Sequence, residues 1–164
     1  MTDSKRPLDG LRVIELGQLI AGPFCGQLLG DFGAEVIKVE APGLPDPARG
    51  WGAVKKDDIG LFWPIIGRNK KSLTLNLRVE AGQAILRELV KTADVLVENF
   101  RPGTLERWGL GPDVLHELNP RLVITRVSGY GQTGPESHKA GYARGRGRWS
   151  MRQSTKPSWP SWRA

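Results

Sequence analysis

The chain has little sulfur and little imidazole: one cysteine, Cys25, and two histidines, His116 and His138, in 164 residues. A lone cysteine closes no internal disulfide and builds no cysteine-based metal site, so a reducing, cytoplasmic setting is expected. No uninterrupted apolar run reaches the 18 or so residues of a membrane span. The first ten residues are polar and carry Asp3 and Asp9, which fits neither a secretory nor a transit peptide. There is also no repeat; 21 Gly and 12 Pro, about a fifth of the chain, are scattered without a period.

Acidic residues are absent after Glu136. All 17 lie in residues 1–136, where 17 Lys and Arg balance them, while residues 137–164 hold the other 7 basic residues of the 24. The net charge of +7 is therefore a property of the tail alone. Residues 143–164 contain no Val, Ile, Leu or Phe but three of the six Trp (Trp149, Trp159, Trp162). Such a segment has too little apolar surface to offset its chain entropy and is expected to be disordered. Arg144, Arg146, Arg148 and Arg152 beside tryptophans could hold a single-stranded nucleic acid. A tail produced by a shifted reading frame would show the same composition, which argues against that partner.

Residues 8–142 alternate strand-like and helix-like patterns. Strands are expected at 11–16, 35–39, 72–77, 95–97 and 122–127, and helices at 23–32, 79–93, 104–108 and 112–118. Phe24, Leu28 and Leu29 form the apolar face of the first helix in this reading, and Ala41 to Gly60 form a long loop with a solvated Asp57-Asp58 turn. Strands separated by crossover helices predict an α/β, Rossmann-like doubly wound, mainly parallel sheet. In such sheets ligands bind beyond the carboxyl ends of the strands.

After the first strand stands Gly17-Gln18-Leu19-Ile20-Ala21-Gly22, with leucine where a G-x-G-x-x-G loop needs its second glycine, which argues against a dinucleotide despite the acid Glu40 ending the second strand. After the fourth strand, Asn99-Phe100-Arg101-Pro102-Gly103-Thr104 and Arg107 offer an amide, a ring and two guanidiniums that suit a phosphate-bearing heterocycle, or else a capped turn with solvated arginines. Cys25 reads as core rather than nucleophile.

Several segments occur together and in order: Leu8-Asp9-Gly10-Leu11-Arg12-Val13-Ile14-Glu15, Ala21-Gly22-Pro23, Gly30 to Glu40, Asn69-Lys70-Lys71-Ser72, Val97-Glu98-Asn99-Phe100-Arg101-Pro102-Gly103 and Ser128-Gly129-Tyr130-Gly131-Gln132-Thr133-Gly134-Pro135. As a set they resemble the N-terminal region of the family III CoA-transferases (the CaiB/BaiF-like formyl-CoA, carnitine and bile-acid CoA-transferases). The resemblance implies an enzyme that moves CoA between an acyl-CoA and a carboxylic acid, an interlocked homodimer, and no metal or redox cofactor, with coenzyme A as substrate. An aspartate would attack the thioester to give a mixed anhydride, and the released thiolate would then form an enzyme-CoA thioester that the acceptor acid reopens.

It further implies that Leu19, Ile20 and Ala21 lie at the thioester end, that Leu75, Asn76, Arg78, Asn99, Phe100, Arg101 and Arg107 line the nucleotide and pantetheine, and that Lys139 approaches the same site. Two departures stand out. Ala41 occupies a position where several members carry arginine, and no residue matches the nucleophilic aspartate. After Tyr142 the expected apolar helix gives way to basic, low-complexity sequence, as a shifted reading frame would produce. The expectation is a truncated family member, inactive alone, with a real appended peptide as the alternative for the tail; a non-catalytic CoA- or nucleotide-binding module is the alternative for the function.

Overall fold

The computed structural model describes residues 5–139. The expected disordered tail, Tyr142 and the end of the 8–142 unit lie outside them. Five strands, β1 (Arg12–Glu15), β2 (Glu35–Glu40), β5 (Lys70–Thr74), β6 (Val95–Glu98) and β7 (Val123–Arg126), form one sheet in the order β5-β2-β1-β6-β7, and every pairing is parallel. The chain winds outward from β1 in one direction through β2 to β5, then returns to β6 and continues to β7. The reversal falls between β1 and β6, where a doubly wound sheet opens a crevice at its carboxyl edge.

Alternation along the strands separates two apolar layers. Ile14 and Leu96 point to the side where helices α3 (Glu80–Val90) and α5 (Pro112–Leu118) bury Leu86, Val90 and Leu115. Val13 and Val97 point to the opposite side, with Val36, Ala34 and the half-buried Cys25 and Leu29 of helix α1 (Ala21–Asp31). Glycine decides how α1 packs. Gly22, Gly26 and Gly30 recur every four residues on its buried face, and a Cβ at Gly26 would lie 1.9 Å from the Glu15 carboxylate. The expected apolar face is thereby corrected: Phe24 and Leu28 point outward, 49% and 41% exposed, because a glycine face lets the backbone itself lie on the sheet.

The third main-sheet strand is corrected too, since β5 starts at Lys70 and ends at Thr74, while Leu75 and Leu77 leave the ladder and enter the core. The long loop after β2 holds a 3-10 turn (Pro47–Gly50) and a small hairpin, β3 (Lys55–Lys56) and β4 (Ile59–Gly60), followed by a short helix, α2 (Trp63–Ile66). Asp57 and Asp58, at φ 51° and 63°, form the hairpin's two-residue turn, which needs the left-handed region at both positions. Both are exposed, as a solvated turn requires. Helix α4 (Thr104–Arg107) follows β6. Among the described residues no helix is long and apolar enough to cross a membrane.

Where the strands begin, Glu35 accepts from Lys71 and from Arg12 Nε at 2.7 Å, tying β1, β2 and β5. These partners, Lys71 first, hold its carboxyl near 2. A folded-state value below the unfolded one gives stability that is present above about pH 4.5 and lost as pH falls toward 2. Melting midpoints measured from pH 5 to 2.5 are expected to fall more steeply for the native chain than for Glu35→Gln. Parallel curves would refute this assignment.

Candidate functional site

A cavity of about 260 Å³ opens where the strands end. Leu16 and Gln18 reach it from just beyond β1, Val39 from β2 and Ala41 from just beyond it, Leu75 to Arg78 from the segment after β5, Phe100 and Arg101 from that after β6, and Thr104 and Trp108 from α4 and the residue after it. The volume lies near the lower limit for a small-molecule site, roughly 300 Å³, so it admits one ring system while the rest of a larger ligand lies across the surface. Its wall is aromatic: Phe100 meets Trp108 edge to face, centroids 5.4 Å apart at 70°. Its rim is cationic. Arg78 and Arg101 are exposed and, among the described residues, make no ion pair, whereas Arg12, Arg49, Arg68, Arg87 and Arg126 all do.

The segment after β6 is fixed by Glu98, which is buried and receives the Phe100 N–H at 2.6 Å and Arg126 Nε at 2.7 Å. Glu98 and Arg126 are register partners on β6 and β7, and Arg126 continues to Glu106 on α4 at 2.7 Å. Phe100 is thus held by its backbone and does not depend on the ligand for its place.

Beside the cavity runs the β1–α1 turn. Asn99 spends both ends of its amide on Gln18, accepting its N–H at 2.7 Å and donating to its carbonyl at 2.8 Å. The sequence left open a cap on the turn that follows Asn99; the amide instead closes the β1–α1 turn, 81 residues earlier in the chain. A Cβ on Gly17 or Gly22 would lie 2.7 Å from the other's Cα, so the turn closes on itself only with glycine at both. Leu19 takes φ 66°, a conformation that costs a side-chain-bearing residue about 1–3 kcal/mol. Its N–H points at Asp46, 3.0 and 3.2 Å from the two carboxylate oxygens.

Asp46 belongs to a buried ionic cluster. Lys38 Nζ lies 2.9 Å from Asp46 and 3.2 Å from Glu15, and also donates to the Gly17 carbonyl. Lys70 Nζ lies 2.7 Å from Glu15 and donates to the Pro23 carbonyl at 2.7 Å. Glu15, Lys38 and Asp46 are each no more than 1% exposed. Burial pushes the Glu15 carboxyl up against the opposing pull of Lys38 and Lys70, and pushes the Lys70 ammonium down against Glu15. Glu40 is buried as well and receives the Asp46 N–H at 2.7 Å and Arg49 Nε at 2.9 Å. Burial alone would raise its carboxyl, yet Arg49 and the Asp46 amide hold it below the ordinary range. The acid that ends the second strand is thus buried and paired with Arg49.

Of the residues singled out in the sequence, the structure brings Leu75, Asn76, Arg78, Phe100 and Arg101 to one cavity. Asn99 touches it through Gln18. Leu19, Ile20 and Ala21 form the adjoining turn but do not line the cavity; Arg107 bonds Thr104 Oγ1 at 3.0 Å, and Lys139 is exposed and paired with Glu136. Gln18, Trp108, Lys38 and Asp46 were missed. Lys38 carried a signal: it is a lysine inside a strand of branched residues, in register with Glu15. Cys25 is half-buried, and burial raises its thiol, as a packed rather than nucleophilic cysteine requires.

Comparison with known proteins gives a consistent result. The sequence model of CoA-transferase family III matches residues 8–144. The chain is 61% identical over 137 residues to succinyl-CoA–D-citramalate CoA-transferase of Chloroflexus aurantiacus, covering 84% of this chain and 34% of that protein. It is 44% identical over 140 residues to mouse succinyl-CoA:glutarate CoA-transferase, covering 85% and 32%. A CaiB/BaiF family protein from Brucella suis superposes with a TM-score of 0.78 at 42% identity, over 84% of this chain and 37% of that one. The chain spans about a third of the length of the curated relatives it matches.

Proposed function

The chain belongs to CoA-transferase family III, and from that premise we propose that it carries the nucleotide-binding part of an enzyme moving CoA between an acyl-CoA and a carboxylic acid. The cavity is the observation that supports this most directly. The aromatic wall of Phe100 and Trp108 suits the adenine ring, and the unpaired guanidiniums of Arg78 and Arg101 suit the nucleotide's phosphates. In this reading Leu75, Asn76, Asn99 and Arg107 belong to the same binding surface. Pantetheine runs past Gln18 toward the turn at Leu19, Ile20 and Ala21, with Lys139 approaching from the far end of the chain. The names of the relatives favour succinyl-CoA or another dicarboxylic acid thioester as donor.

Transfer through an aspartyl anhydride and an enzyme-CoA thioester needs a carboxylate nucleophile, a role for which these 164 residues offer no counterpart. Our reading is accordingly a CoA-binding unit whose turnover depends on a carboxylate from beyond these residues, in an interlocked homodimer. The departure at the nucleophile also favours a second reading, a CoA-binding module without catalysis. Mass-confirmed CoA transfer by the purified chain would reject that second reading and the dependence on an outside carboxylate together.

A thermal melt with and without CoA tests the shared part. A ligand that binds only the folded chain raises the midpoint in proportion to RT ln(1 + [L]/Kd). A cooperative transition moving upward with millimolar CoA, and not with pantetheine alone, is the expected result. A midpoint indifferent to CoA would reject the site.

A further inference from the structure

We propose that Asp46 is a positioning residue for the CoA site: its carboxylate holds Leu19 in the left-handed conformation that shapes the β1–α1 turn. This rests on the reading of the site given above. Leu19 stands where a dinucleotide-binding turn carries a glycine, and it adopts the backbone conformation that favours glycine, φ 66°. Something must hold a leucine there. The Leu19 N–H is received by both oxygens of Asp46, at 3.0 and 3.2 Å, and Asp46 is itself immobilised.

Its carboxylate pairs with Lys38 at 2.9 Å and accepts the Ala48 N–H at 2.9 Å, while its own N–H donates to Glu40 at 2.7 Å. At 1% exposure it has no solvent to which it could turn instead. Lys38 holds the turn a second time, through the Gly17 carbonyl. The residue between, Gln18, is gripped by Asn99 and faces the cavity. Three successive residues of the turn are therefore fixed by side chains from three other segments. A loop after β2 with no side chain in the cavity beyond Ala41 sets the backbone on which the thioester end of CoA would rest.

The test is a double-mutant cycle in CoA affinity, measured by calorimetry on the full chain. Asp46→Ala is expected to weaken CoA binding about tenfold when residue 19 is leucine, and by less than twofold when Leu19→Gly supplies the left-handed turn unaided. If Asp46→Ala does not melt cooperatively, Asp46→Asn replaces it, with two- to fivefold weakening expected, again cancelled by Leu19→Gly. An equal loss on both backgrounds, or no loss, would overturn the proposal. Hydrogen exchange of the Leu19 amide separates this from the CoA reading. A native chain that fails to bind CoA rejects the site, whereas a Leu19 amide exchanging no faster in the Asp46 variant rejects the positioning role itself.

Discussion

Lys38→Met is expected to remove about 3–5 kcal/mol of folding stability, the range for breaking a buried ion pair by deleting one partner. Lys38 is 1% exposed, and its ammonium is shared among Glu15, Asp46 and the Gly17 carbonyl. Methionine fills nearly the same volume, so the loss is electrostatic. Glu15 keeps Lys70 and Asp46 keeps its backbone donors, but two carboxylates lose the cation between them. Burial already pushes Glu15 toward its neutral form, and without Lys38 a greater share of it takes up a proton on folding. At roughly 2–4 °C per kcal/mol for a domain of about this size, the midpoint falls by on the order of 10 °C. Lys55→Met and Lys56→Met, on the exposed β3 strand, are the controls and should leave it nearly unchanged. A loss below about 1 kcal/mol for Lys38→Met would mean that the cluster contributes little to the fold.

That cluster also marks the limit of what the sequence discloses. Buried parallel strands are continuous branched runs, and β1, β2 and β6 stand out for that reason. The edge strand β5 does not, because Lys70 to Thr74 are only partly buried and the apolar alternation of Leu73, Leu75 and Leu77 carries on past the ladder. Alternation reports which way side chains face the core, and the hydrogen-bonded register is a separate property. On α1 the same signal misled in the other sense, since the residues that pack closest are glycines and contribute nothing to an apolar pattern. The α/β class, the parallel sheet and the cations at the strand ends were legible because each follows from local patterns, the sheet from strands separated by crossover helices.

The turn was not. Leu19 looks like an ordinary leucine until Asp46, far along the chain, is seen at its N–H, and Trp108 joins the cavity only because α4 folds back on Phe100. Long-range pairings of this kind leave no periodic trace. What the family resemblance added was a larger grouping, of which the fold brings Leu75, Asn76, Arg78, Phe100 and Arg101 to one opening, while Leu19, Ile20, Ala21, Asn99, Arg107 and Lys139 do not line it.

Arg101→Ala is expected to weaken CoA binding about tenfold, and Arg78→Ala by a similar factor. A charge-assisted bond to phosphate contributes about 1.5–3 kcal/mol when well made, and the lower end applies to guanidiniums as exposed as these. Neither guanidinium is hydrogen-bonded or ion-paired among the described residues. Arg101 makes no ion pair there, and Arg78 enters the local structure only through its backbone N–H, which donates to Asn76 at 3.0 Å. Removing either guanidinium should therefore leave the melting midpoint without ligand unchanged, which separates a binding role from a structural one.

Arg101→Lys keeps the charge but not the fork and should recover part of the affinity. The loss should shrink as salt rises, because exposed charges are screened over about 8–10 Å near physiological ionic strength. Arg107→Ala should cost less, since that guanidinium is engaged with Thr104 and does not line the cavity. Equal CoA affinity in the native chain and in Arg101→Ala would move the phosphates away from this rim. The aromatic wall could then still hold a ring, but the cations beside it would be an ordinary solvated edge of the sheet.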